Sequence, residues 1–180
     1  MEYKSIKPKE LDRNIFELID DEWMLITAKK DGANGKYNTM TASWGGVGIM
    51  WNKPVIWCVI RPGRYTYEFM EEADYFTLSF FFGKYRKALN ILGTKSGRNS
   101  DKIAESGLTA FDFSEVNTIE EVKNKIISFK EADMVITCKK VYYQDINPEN
   151  FRDESMDKTN YPKKDYHRMY FGEIIGCHIK

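Results

Sequence analysis

Asn38-Thr-Met-Thr-Ala-Ser-Trp44-Gly-Gly46, then an apolar strand, then Arg61-Pro-Gly-Arg64-Tyr65-Thr66: this stretch decides the fold of the chain. Its first block sets small hydroxyl and methyl side chains and two glycines around one indole. Such a surface lets backbone amides come close to a flat ligand. Its second block supplies two guanidinium groups, two hydroxyls and a helix start, the donors that hold a phosphate. A planar ring at one end and a phosphate at the other point to a flavin nucleotide. Each block also has a plainer reading. The first could be a strand end with a core tryptophan and a Gly-rich turn, the second a solvated turn with surface arginines.

Outward from that stretch, strand signals dominate. Trp23-Met-Leu-Ile-Thr-Ala28 is a short apolar run, and Asp31-Gly-Ala-Asn34-Gly35 after it marks a hairpin turn. Tyr37 to Ser43 would then run back antiparallel, and Gly45, Gly46 and Gly48 predict a loop that hugs a ligand. Pro54-Val-Ile-Trp-Cys-Val-Ile60 reads as a strand buried on both faces. A short helix follows over Tyr67–Ala73, with Thr66 as its N-cap. Tyr75–Phe82 is another strand, and Lys84–Leu92 a helix ended by Gly93. A second short helix is capped by Ser100 and stopped by Gly107. Thr118-Ile-Glu-Glu121 has capping-box spacing and predicts a third helix of about two turns. Met134–Tyr143 and Met169–Ile179 are long strands.

Residues 1–14 read as a charged leader lying along the surface or across a partner subunit, and 144–166 as an exposed excursion. No repeat or linker interrupts the chain, so 1–180 is expected to form a single domain. Strands in quick succession with short interposed helices predict a mostly β, antiparallel, closed or nearly closed barrel.

Composition narrows the function. Of 180 residues, 42% are hydrophobic and 30% charged, as in a soluble globular domain. Lys plus Arg and Asp plus Glu each total 27, which argues against nucleic acid or an anionic membrane as the main partner. Cys58, Cys138 and Cys177 stand far apart in apolar contexts, as buried thiols do in a reducing compartment. The N-terminus has no apolar signal region, so the cytoplasm is the expected location. No Gly-x-Gly-x-x-Gly, Walker A, zinc or Gly-x-Ser-x-Gly pattern occurs, and no metal site is expected.

Three blocks in order carry a resemblance: Asn38-x-Met40-Thr41-x-Ser43-Trp44-Gly45, Arg61-Pro-x-Arg64-Tyr65-Thr66, and His167-x-x-Tyr170-x-Gly172-Glu173-Ile174. Together they resemble the flavin reductase-like family, within it the flavoredoxin-type branch, from about Leu18 to the C-terminus. The resemblance implies an FMN-binding split β-barrel, antiparallel and of Greek-key type with short peripheral helices. It further implies a homodimer with the flavin near the subunit interface.

On that reading the Asn38 side chain and the backbone of Met40, Thr41, Ala42 and Ser43 meet the polar ring edge, and Trp44 shields the ring. Arg61, Arg64, Tyr65 and Thr66 are the phosphate and ribityl contacts, with Ser96 and Lys102 as further candidates. His167 is a candidate ring contact or proton relay, and Phe171 a candidate packing residue that is equally a core strand aromatic. The implied activity is an NAD(P)H-dependent flavin reductase, with NADH or NADPH as a transient reductant and an unassigned acceptor, a redox partner protein among the candidates. The alternatives are a flavoredoxin-like electron carrier and a non-catalytic binder of a planar cofactor such as haem.

Overall fold

Eight strands pair into one antiparallel sheet around an apolar interior in this computed structural model, which describes residues 2–30 and 35–180. The strands are β1 (Lys4–Ile6), β2 (Met24–Lys29), β3 (Tyr37–Ala42), β4 (Gly45–Met50), β5 (Lys53–Ile60), β6 (Tyr75–Phe80), β7 (Ala110–Asp112), β8 (Ile127–Phe129), β9 (Met134–Asp145) and β10 (Arg168–Ile179). The helices are α1 (Tyr65–Glu72), α2 (Arg86–Thr94), α3 (Lys102–Ser106) and α4 (Glu154–Asn160). Neighbours run β3-β2-β6-β9-β10-β5-β4, β1 adds to β10, and β7 pairs separately with β8.

The consecutive strands β3 and β4 end this path, and among the described residues no ladder joins them. The barrel is therefore split. β10 holds the two halves together: Arg168–Glu173 pair with β5, Cys177–Ile179 pair with β1, and β9 runs beside both. Register shifts after Phe171 and after Ile174 bend β10 so that it can serve both neighbours.

The apolar runs are continuous because the central strands are covered on both sides. On β2, Met24, Ile26 and Ala28 enter the barrel core with Ile56, Phe76, Leu78, Ile136 and Tyr170. Leu25 faces the other way, into a second core with Leu89 and Leu92 of α2, Phe113, Phe129 and Val135. All three cysteines are buried and unbridged. Burial pushes the Cys58 thiol up to about 12 and the Cys177 thiol up to about 11, so both are unreactive packing groups.

Several local expectations change. Gly45–Met50 is a regular strand and no ligand-hugging loop. Its glycines answer to packing: a Cβ on Gly46 would stand 2.2 Å from Cζ2 of Trp57, whose ring lies across the strand. Helix α1 starts earlier than expected, with Arg64 at the N-cap, and Thr66 lies inside the helix. α2 runs through Gly93 to Thr94, since Gly93 is where the helix presses on β3: a Cβ there would be 3.3 Å from Thr41 Cβ. Asp101 caps α3 instead of Ser100, accepting the Ala104 N–H at 3.1 Å, while Gly107 stops it in the left-handed region as read.

The Thr118 capping box yields only a 3-10 turn at Glu120–Val122, because buried Val122 ties the segment to the second core and Lys123 leaves it extended. Within the charged leader, Lys4–Ile6 form β1 against β10 and stay mostly exposed. The 144–166 excursion is mostly exposed, yet it contains α4 and one buried anchor, Tyr161. The expected 31–35 hairpin turn lies outside the described residues except for Gly35.

Candidate functional site: a cleft and a hollow with two adjacent cations

The last residues of β3, the β5–α1 loop and the start of β10 converge on a cleft of about 230 Å³. β3 and the chain after it bring Met40, Thr41, Ala42, Ser43 and Trp44 to one wall, and β10 pairing with β5 brings His167 beside Arg61 and Arg64 on the other. Val59, which sequence reading did not single out, floors the cleft. A larger hollow of about 660 Å³ opens at Asn38, between Tyr65 and the Gly97–Ile103 segment, and Lys102 lines it. Gly97 permits this approach, since a Cβ there would stand 2.5 Å from Asn38 Oδ1.

Two cations sit between these spaces. The Arg64 Nη1 donates to the Gly93 carbonyl at 2.6 Å, and the Lys102 Nζ donates to the Leu92 carbonyl at 3.1 Å. Both therefore rest on the C-terminal end of α2, where free carbonyls favour positive charge. Lys102 is only 2% exposed, and among the described residues neither cation pairs with a carboxylate. Burial and, after it, the neighbouring Arg64 charge lower the Lys102 pKa to about 8. Burial also lowers that of Arg64. Two like charges held together in a cleft form a receptor for an anion.

The opposite end of the cleft is aromatic. The Trp44 and His167 rings stand 5.1 Å apart at 48°, with Trp44 45% exposed. Burial and the Arg61 charge push the His167 pKa down to about 4, with Asp165 opposing, so the imidazole is neutral near pH 7. Arg61 is held by Asp165 at 2.8 Å and by the Asn160 carbonyl at 2.9 Å. It is thus fixed beside the cleft and partly neutralised, unlike Arg64.

Other expected site residues fall behind or outside this constellation. Thr66 is buried, and its hydroxyl accepts from Asn38 Nδ2 at 2.8 Å, so it orients Asn38 and lines neither space. Tyr65 lines the larger hollow and carries the Arg98 guanidinium over its ring at 4.8 Å. Ser96 lines neither space, since its hydroxyl accepts the Arg98 N–H within its own turn. Phe171 is not brought to the cleft. It points to the outer face of the sheet, against Trp57, Trp51 and Tyr142, because its neighbour Tyr170 takes the inward position.

Sequence reading missed Tyr161, whose hydroxyl meets His167 Nδ1 at 2.8 Å. The available signal was Tyr161-Pro162 five residues ahead of Tyr166-His167 in an otherwise charged segment. Among the described residues, no group of three or more His, Cys, Asp or Glu side chains could hold a metal ion.

A family model described as "Flavin reductase like domain" matches residues 19–180. The chain belongs to this family. The match begins within one residue of where the sequence resemblance begins. No curated protein sequence matches the chain. Solved structures similar to this flavin reductase-like domain include an FMN-binding domain of a flavin reductases-like enzyme from Shewanella baltica. That one is 14% identical with a TM-score of 0.64, over 99% of this chain and 77% of that one. Flavoredoxin of Desulfovibrio vulgaris is 22% identical with a TM-score of 0.62, over 97% and 77%. Nitrilotriacetate monooxygenase component B from Bacillus cereus is 17% identical with a TM-score of 0.63, over 98% and 81%. At these identities the likeness establishes the split-barrel fold.

Proposed function

We propose that the protein is an FMN-binding, cytoplasmic oxidoreductase that takes electrons from NADH or NADPH. The observation that carries this reading is the adjacent pair Arg64 and Lys102, cations without a carboxylate partner among the described residues: half-buried Arg64 lines the cleft that Trp44 and His167 close, and buried Lys102 lines the neighbouring hollow. An anion with a planar ring fits that polarity, and a flavin mononucleotide has both. The names of the similar structures, an FMN-binding domain and a flavoredoxin, support the same choice.

The residues divide the work. Arg64 and Lys102 hold the phosphate by charge-assisted hydrogen bonds, and the anion in turn relieves their mutual repulsion. Asn38, oriented by Thr66, offers a donor and an acceptor to the larger hollow. The backbone from Thr41 to Ser43 faces the ring edge, while Trp44 and His167 close one side of the cleft. FMN, when bound, supplies the ring that accepts hydride, and the protein tunes it through burial and hydrogen bonds. The sequence has no Gly-x-Gly-x-x-Gly motif, so the nicotinamide nucleotide would bind transiently and weakly. The family resemblance further supports a homodimer with the cleft near its interface.

Purification and reduction test this reading. The protein should bind FMN at micromolar concentration and show the visible flavin band, which should bleach on anaerobic addition of NADH or NADPH. A colourless protein that refuses FMN overturns the flavin assignment. A yellow protein that bleaches with dithionite but with neither nucleotide is an electron carrier like flavoredoxin.

A further inference from the structure

The segment 144–166 looked like surface decoration in the sequence, yet it carries a side chain aimed at the cleft. Tyr161 is 3% exposed. It is anchored by the Asp157 carbonyl, which accepts its peptide N–H at 2.8 Å at the end of α4. Its ring packs on Tyr166, centroids 4.9 Å apart, and under the Arg61 guanidinium at 5.1 Å. From that socket the hydroxyl reaches His167 Nδ1 at 2.8 Å, with the two rings nearly perpendicular at 78°.

The protons follow from burial. A buried phenol retains its O–H, and burial here raises the Tyr161 pKa. A buried O–H must donate to something. Nδ1 is the acceptor within reach, because the neutral imidazole that this environment enforces has one bare nitrogen. The imidazole proton is then on Nε2. Among the described residues that atom has no partner, and it is not among the buried polar atoms left unsatisfied, so it opens toward the cleft that His167 lines. The charged groups facing the imidazole are Arg61, Arg64 and Asp165. Arg61 disfavours a second proton, and Asp165, which favours one, is engaged by Arg61.

We propose that Tyr161 is a positioning residue: it locks His167 as the Nε2–H tautomer and aims that N–H into the cleft beside Trp44, as a donor to a carbonyl or ring-nitrogen acceptor of a bound heteroaromatic ring. The identity of the ring rests on the FMN reading; the lock itself does not. A donor at fixed angle in a partly dry cleft acts on whichever ring state carries more negative charge at the facing atom. Tyr161 thereby couples the peripheral segment to the electronics of the cleft without touching the ligand.

The chain has two histidines, His167 and His178, so nitrogen-15 NMR of the imidazoles is readily assigned with a His178→Gln variant. In the protein without ligand at pH 7, His167 should show a protonated Nε2 and a hydrogen-bonded, unprotonated Nδ1. Tyr161→Phe should move the Nδ1 resonance to the position of a free pyridine-type nitrogen and weaken FMN binding by about 2- to 10-fold, the worth of one neutral hydrogen bond. A protonated Nδ1 in the wild-type protein, or an Nδ1 resonance unmoved in Tyr161→Phe, overturns the lock. If that variant fails to fold, the wild-type spectrum alone decides. A wild-type protein that shows the predicted spectrum but binds no FMN retains the lock and loses the flavin reading.

Discussion

Lys102 is a charge kept in the wrong place for stability. It is buried, faces Arg64, and has only the Leu92 carbonyl as a partner among the described residues. A pKa lowered from 10.5 to about 8 corresponds to ~3 kcal/mol of penalty for the protonated form near pH 7, before the lost hydrogen bond is counted. Lys102→Met should therefore raise the stability of the ligand-free protein by ~1–2 kcal/mol, a melting shift of ~3–6 °C, while FMN binding falls by ~10-fold or more. Calorimetry and FMN titration check the two arms, and a variant that loses stability along with FMN binding would make Lys102 a structural residue. His167 gives the pH counterpart. Its folded pKa, about 4, lies below its unfolded value of 6.5, so the unfolded chain binds more protons between those values. Its stabilising contribution is complete above pH 6.5 and is lost as pH falls toward 4, ~3 kcal/mol in all, with buried His178 acting in the same direction. His167→Gln should flatten part of that acid limb in denaturant melts taken from pH 7 to 4. An unchanged limb assigns it to carboxylates.

At the scale of elements, the runs Trp23–Ala28 and Pro54–Ile60 were legible because each is apolar long enough to be covered on both faces, and Met134–Tyr143 because its buried first half, Met134–Cys138, is; all three give central strands. Elements set by a distant partner were not legible. Gly45-Gly46-Val-Gly48 looks like a loop until Trp57, eleven residues on, is laid across it. Thr66 looks like a cap until Asn38 claims its hydroxyl, and the leader becomes a strand only because bent β10 offers an edge. The site followed the same rule. Residues contiguous in sequence, Met40–Trp44 with Arg61 and Arg64, come to line one candidate cleft, while Tyr161 was missed because its place depends on the fold of the peripheral segment. Gly46→Ala tests the steric account directly. Its Cβ would overlap the Trp57 ring, whose displacement should cost ~1–3 kcal/mol, readable as a drop in the urea midpoint at constant slope. Pairing the change with Trp57→Leu should recover most of the loss, and no recovery would place the strain in the backbone, where Gly45 faces the Trp57 carbonyl.

At the scale of the whole molecule, one face stands out. β4 ends the sheet, and from Gly45 to Trp51 the chain carries no charge to protect that edge. Ile49 is 65% exposed and Trp51 55%, and Trp51 meets Tyr142 and Phe171 edge-on at 6.1 and 6.4 Å. Phe171 continues the band to Trp57 under β4. The β4–β5 turn is the oddest part. Its two residues, Trp51 and Asn52, have φ of 51° and 59°, the hairpin geometry in which glycine and asparagine are preferred. An indole held in the left-handed region costs the monomer ~1 kcal/mol or more, which points to a use outside it. Contiguous exposed aromatics on a protein with balanced charge fit a second copy of the same chain, which gains apolar contact without charge repulsion. Trp51→Gly separates the two demands. It should leave the isolated subunit as stable or up to ~1 kcal/mol more stable, because glycine accepts the turn, while weakening the proposed homodimer by ~10-fold or more. Sedimentation equilibrium across a concentration series reads the second effect, and thermal melts at low concentration read the first. A wild-type chain that sediments as a monomer at tens of micromolar removes the dimer from the account and leaves the strained indole without a purpose.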